Sequence, residues 1–159
     1  MNDASNREVT EQSEAENPEV GTPRRVDIEL FIVHPTWEPT EISTALGLEA
    51  NFAHRVGGPR KTPAGTPLPG NHPDTRWRHC IRCNVRDQWY AGEVMTFVDR
   101  LEPHKAFFAS LTSTGGRASI IIQFFGDGYL GDELPVATLA KLVDLGVALA
   151  IECFADPQS

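Results

Sequence analysis

The sequence predicts an α+β protein: a ferredoxin-like two-layer fold whose four-stranded, mostly antiparallel sheet is built from a duplicated β-α-β unit, with two extra helices between the copies. Two observations carry this reading. Residues 26–48 and 118–147 share one order: apolar strand, loop, helix opened by a proline, glycine stop, more apolar chain. Between them, residues 91–112 place Val94, Phe97, Val98, Leu101, Phe107, Phe108 and Leu111 at helical spacing, interrupted by Pro103.

Each element follows from local chemistry. The first 24 residues hold six acids and almost no large apolar side chains, which predicts a disordered acidic tail over 1–24. A single domain is expected over 25–155, with a short tail at 156–159. In the first strand Val26, Ile28, Leu30 and Ile32 alternate with Asp27, Glu29, Phe31 and Val33, which is period two with one buried face. Pro39 suits the first helical position, Glu41 the positive helix end, and Gly47 a left-handed stop; Ile42, Ala45 and Leu46 form the apolar stripe.

Residues 57–75 contain four glycines and five prolines, a composition that predicts a long mobile loop without regular structure. The next strand, 76–86, puts Trp77, His79, Ile81, Cys83 and Val85 on one face. Arg76, Arg78, Cys80, Arg82, Asn84 and Arg86 take the other. A mid-helix proline costs about 3 kcal/mol, so 91–112 divides into two helices, the second starting at Pro103. Two helices in that connection predict an antiparallel return of the chain. The final helix carries Leu139, Leu142, Val143 and Leu145, and the last strand spans 147–153.

Charge limits the function classes. The net charge of −8 argues against a general nucleic-acid or membrane-surface binder. Yet between His54 and Arg86 there are seven Lys/Arg and one acid, Asp74. The seven bases Arg55, Arg60, Lys61, Arg76, Arg78, Arg82 and Arg86 are the candidate binding residues. On the strand, alternate arginines stand about 6.6 Å apart and can grip phosphates or carboxylates; equally, they can protect an exposed strand by pairing with Glu29 and Glu152. The glycines at 57 and 58 form neither a Walker loop nor a dinucleotide fingerprint, since no Gly-Lys-Ser/Thr and no helix follows.

Other motifs resolve blandly. Cys80 and Cys83 in an alternating strand point to opposite faces, which excludes a disulfide, and no second pair completes a zinc set. The five histidines are scattered, and no Ser-His-acid trio is recognisable. Asp127, Asp132 and Glu133 do not fit a calcium loop and read as turn and cap. No cofactor, metal site or catalytic residue is expected. Three cysteines, an odd number, together with the lack of an apolar leader or long apolar run, predict a reduced, cytoplasmic protein.

The segment Glu-Pro-Thr-Glu-Ile-Ser-Thr-Ala-Leu-Gly-Leu (38–48), the Arg55-Val-Gly-Gly loop, Trp77, Leu101-Glu-Pro and the ending Leu142-Val-Asp-Leu-Gly-Val-Ala-Leu-Ala-Ile-Glu resemble the bacterial domain-of-unknown-function family 4279. The likeness covers roughly residues 26–154 and rests on caps, core leucines and one tryptophan. It implies a bacterial origin and no established activity. Two departures are visible: the long Pro/Gly loop at 59–73, and Ala150-Ile151-Glu152-Cys153, where relatives tend to carry an aspartate.

Function is then expected to be non-enzymatic: an interaction module binding an acidic partner, or itself, through the basic strand and loop. The rival expectation is a binding protein or enzyme for a small phosphate or carboxylate, with the Pro/Gly loop as a lid. Self-association is expected through the open sheet face, where Phe31, Ile121 and Phe125 lie.

Overall fold

The computed structural model describes residues 25–84, 90–126 and 131–154; the N-terminal tail, Arg86 and the Asp127 turn lie outside them. Seven strands and four α-helices follow in the order β1 (Arg25–His34), α1 (Pro39–Leu46), β2 (Phe52–His54), β3 (Pro59–Lys61), β4 (Pro67–Asn71), β5 (Thr75–Asn84), α2 (Tyr90–Leu101), α3 (Lys105–Ser113), β6 (Arg117–Phe125), α4 (Val136–Leu145) and β7 (Val147–Phe154). A 3-10 turn at Glu102–His104 joins α2 to α3 and contains Pro103. The proline thus divides the helices as its missing N–H requires.

The main sheet has five strands in the order β2-β5-β1-β6-β7, and β3 with β4 forms a separate two-stranded sheet. This corrects the four-stranded ferredoxin-like arrangement. β1 is antiparallel to both β5 and β6, β2 is antiparallel to β5, and β6 is parallel to β7. β5 and β6 therefore run the same way on either side of β1, so the two-helix connection does not reverse the chain. The two similar sequence units also pair differently. β6-α4-β7 lays its strands side by side, whereas β5 is inserted between β1 and β2. The cause is local: β2 is three residues long and shows no alternation. It docks on the free edge of β5, where Asn51 N–H donates to Arg78 O at 2.8 Å and Cys80 N–H to Asn51 Oδ1 at 2.6 Å.

The core lies between one sheet face and the helices. Val26, Ile28, Leu30 and Ile32 are fully buried there with Trp77, Phe97, Val98, Phe108, Ile120 and Ile122. Each such side chain stabilises the fold by about 1.5–3 kcal/mol. Trp77 satisfies its indole by donating to Ser43 Oγ at 2.9 Å, which ties β5 to α1. α1 has Pro39 in its first turn and ends at Gly47, whose φ of 62° is left-handed; α4 ends likewise at Gly146. Ala45 of the expected α1 stripe is exposed.

His34, fully buried, shapes the turn from β1 to α1. Its Nδ1 accepts the N–H groups of Thr36 at 3.1 Å and Trp37 at 2.9 Å, so the ring proton sits on Nε2, 2.9 Å from Thr114 Oγ1. A side chain at Gly116 would meet both this ring and Leu111 at 2.6 Å, so the approach of β6 needs glycine there.

The expected 57–75 loop is in large part a hairpin. β3 and β4 pair antiparallel, with Thr62 N–H donating to Thr66 O at 2.8 Å and Gly65 turning the chain at φ 85°. Its base closes through Gly57 N–H to His72 O at 2.8 Å and His72 N–H to Gly58 O at 2.9 Å. Buried Thr75 clamps that base: Oγ1 accepts Val56 N–H at 2.9 Å and donates to Trp37 O at 2.7 Å. Proline and glycine forbid helix and central strand, but a free-standing hairpin needs few ladder bonds and tolerates both.

Candidate functional site

The open sheet face carries Asp27, Glu29 and Phe31 on β1 and Arg78, Cys80 and Arg82 on β5. Here the arginines meet carboxylates. Arg82 Nε lies 3.2 Å from Asp27 Oδ1, Arg25 Nε 3.3 Å from Asp27 Oδ2, and Arg78 Nη1 3.1 Å from Glu29 Oε1. Arg78 also lies over the Phe31 ring at 4.4 Å, and Arg25 over Phe125 at 3.8 Å, where Phe125 stacks on Phe154. Ile121 is buried. The face is thus a lattice of internal ion pairs and covered rings, not a bare apolar or basic surface. Burial pushes the Glu29 carboxyl above its ordinary value; Arg78 opposes this and Glu152 adds to it.

The remaining bases gather elsewhere. The β3–β4 hairpin folds toward the corner formed by β2 and the start of β5, leaving a groove of about 460 Å³ lined by His54, Arg60, Lys61, Leu68, His72, Pro73, Asp74 and Arg76. Register places His54 opposite Arg76. Asp74, just ahead of β5, accepts from Arg76 Nε at 3.1 Å and lies 3.9 Å from His54 Nε2. His72, which follows β4, stacks on His54 with ring centroids 3.7 Å apart and planes 12° from parallel. Arg60 reaches across its hairpin to Pro69 O at 3.4 Å. Three permanent cations therefore face one carboxylate.

His54 is held below its ordinary pKa, first by burial, then by His72 and Arg76, with Asp74 pulling the other way. Its Nε2 is buried without a hydrogen-bond partner among the described residues.

Of the seven candidate bases, the structure brings Arg60, Lys61 and Arg76 together. Arg78 and Arg82 belong to the paired lattice. Arg55 stands apart, 3.8 Å from Glu38. Arg86 lies outside the described residues. Sequence reasoning missed His54, His72, Asp74 and Leu68 as neighbours, because only the hairpin brings residues 18 positions apart into a stack.

Other motifs are structural. Cys80 and Cys83 are free and face opposite sides, and burial pushes the Cys83 thiol up to about 11. Asp132 accepts Ala91 N–H at 2.9 Å, capping α2 and not the helix that follows it in sequence. Among the described residues, no group of three or more His, Cys, Asp or Glu is placed to hold a metal, and no helix is long and apolar enough to cross a membrane.

The chain defines an α+β fold with a five-stranded mixed sheet and a basic groove at one edge. No family model matches it, and no curated protein or solved structure does either.

Proposed function

We propose that this protein binds a small anion, a phosphate or carboxylate group carried on a small molecule, in the groove beneath the β3–β4 hairpin. The observation supporting this most directly is the convergence of Arg60, Lys61 and Arg76 on a cavity with a single carboxylate, Asp74, among the described residues. Guanidinium forks match the oxygens of either group, and such charge-assisted bonds contribute about 1.5–3 kcal/mol each. Leu68 and Pro73 supply an apolar wall for the body of the ligand. The hairpin acts as the flap over the site. An acidic protein gripping the β5 row is less favoured, because Arg78 and Arg82 would first have to give up Glu29 and Asp27.

Titration calorimetry of the full chain with inorganic phosphate, and separately with a dicarboxylate such as succinate, tests the proposal at low salt. Saturable binding is expected, weakened about tenfold by Arg60→Ala, since one lost bond of this type is worth at least about 1.4 kcal/mol. Absence of heat and of thermal stabilisation with both anions would overturn it.

A further inference from the structure

β7 forms the sheet edge opposite β2, and a single charge is all it carries of the usual devices against pairing with another strand. Val147–Phe154 holds no lysine and no proline, its register with β6 runs unbroken, and its one charge is Glu152. On the helix-facing side, Leu149 and Ile151 lie in register with Ile120 and Ile122; Ile122 is buried, while Ile151 is 63% exposed. α4 continues this strip. Thr138, Leu142 and Leu145 face the sheet, and Lys141 reaches Asp99 and Glu102 on the α2 side. Helical spacing then puts Leu139 and Val143 on the opposite flank, above the outer side of β7. Val143 is 78% exposed and Val136, on the same flank, 81%. The apolar pattern of α4 is thus wider than the face the described residues cover.

We infer that this strip joins a second copy of the chain, β7 against β7 in antiparallel pairing about a two-fold axis, so that two five-stranded sheets become one of ten. Self-complementarity selects that occupant. With the axis at Ala150, Glu152 faces the partner's Ala148, so the charges never oppose one another. A two-fold perpendicular to the sheet keeps both helix layers on one side, which sets α4 beside its counterpart and covers Val136, Leu139 and Val143 in the same step. The size also suffices. An eight-residue strand is about 26 Å long. Strand edge plus helix layer stands roughly 20 Å tall, given sheet and helix dimensions. That makes on the order of 500 Å² per copy, or about 1,000 Å² in total, where specific interfaces begin. Such a dimer carries its two basic grooves at its far ends, so its failure and failure of anion binding are separate events.

Sedimentation equilibrium of the full chain from about 1 μM to about 1 mM, the span of weak to moderate affinities, provides the test. The wild type is expected near 35 kDa, about twice its 17.5 kDa chain mass, at the upper concentrations. Ile151→Lys and Val143→Lys are each expected to sediment as monomers with unchanged far-UV circular dichroism. Should Ile151→Lys disturb the strand, Val143→Lys, on an exposed helix flank, decides. A wild type that stays monomeric throughout overturns the inference. So does a dimer that survives both substitutions, or a species that grows without limit and therefore does not close.

Discussion

Arg76 and Arg78 are two residues apart on one strand and point to one face, yet they belong to different environments. Around Arg78 and Arg82, the neighbouring strand β1 supplies Glu29 and Asp27, both buried, and the positive charge is consumed within the fold. Around Arg76, β1 offers Val33 and the short strand β2 offers His54; Asp74 is the one carboxylate it meets among the described residues, and the hairpin adds Arg60, Lys61 and His72. A run of bases keeps its positive charge in excess only where its neighbours supply fewer carboxylates. The two regions also titrate in opposite senses: burial raises the Glu29 carboxyl and lowers His54.

The largest expected effect breaks the groove alone. The double substitution Lys61→Ala with Arg76→Ala should weaken phosphate binding up to about 100-fold, with the urea midpoint nearly unchanged, because both side chains reach water. Calorimetry beside chemical denaturation checks it. Equal losses of binding and stability would mean that the groove is structural.

Asp27→Ala does the converse. It removes the carboxylate between Arg25 and Arg82, and should lower Tm by roughly 3–6 °C while leaving anion affinity intact. The effect falls short of that of a fully buried pair because both arginines are partly solvated.

The pH response sharpens the contrast. His54 and His34 are both held below the ordinary histidine value of about 6.5, so the unfolded chain takes up their protons first. Their contribution to stability is present above that value and is lost as pH falls through and below it. Glu29 is raised, so its contribution is present at acid pH and is lost as pH rises past the ordinary glutamate range. Thermal melts of His54→Gln and Glu29→Gln against pH should therefore depart from wild type at opposite ends. Anion affinity should rise as pH falls from about 8 to 5.5, since a bound anion favours protonated His54, and His54→Gln should flatten that rise.

The smallest effect is expected from Arg82→Ala, whose guanidinium lies at the surface. Phosphate affinity should not change measurably; a clear loss would place the β5 row in the binding site and erase the difference between the two regions.

How far the sequence could be read depends on how local the cause was. The alternation of β1 and β5, the glycine stops at 47 and 146 and the break at Pro103 were legible, because period and backbone chemistry act within a few residues. The hairpin was not legible: its strands are three and five residues long, too short to show a period, and composition alone suggested an unstructured loop. The exposed flank of α4 was hidden in an unbroken apolar pattern. Leu139 and Val143 carry the apolar pattern on beside Leu142 and Leu145, and only the sheet edge beneath them shows that no described residue covers them fully.

By itself the sequence determined the long strands and the helices, the glycine stops and the separation of basic from acidic stretches, all consequences of contacts between residues close along the chain. The tertiary structure alone decided strand order, which arginines meet carboxylates and which histidines meet each other. Those outcomes turn on pairings across tens of residues, such as Asp27 with Arg82 and His54 with His72, where burial and distance set the energy of each charge.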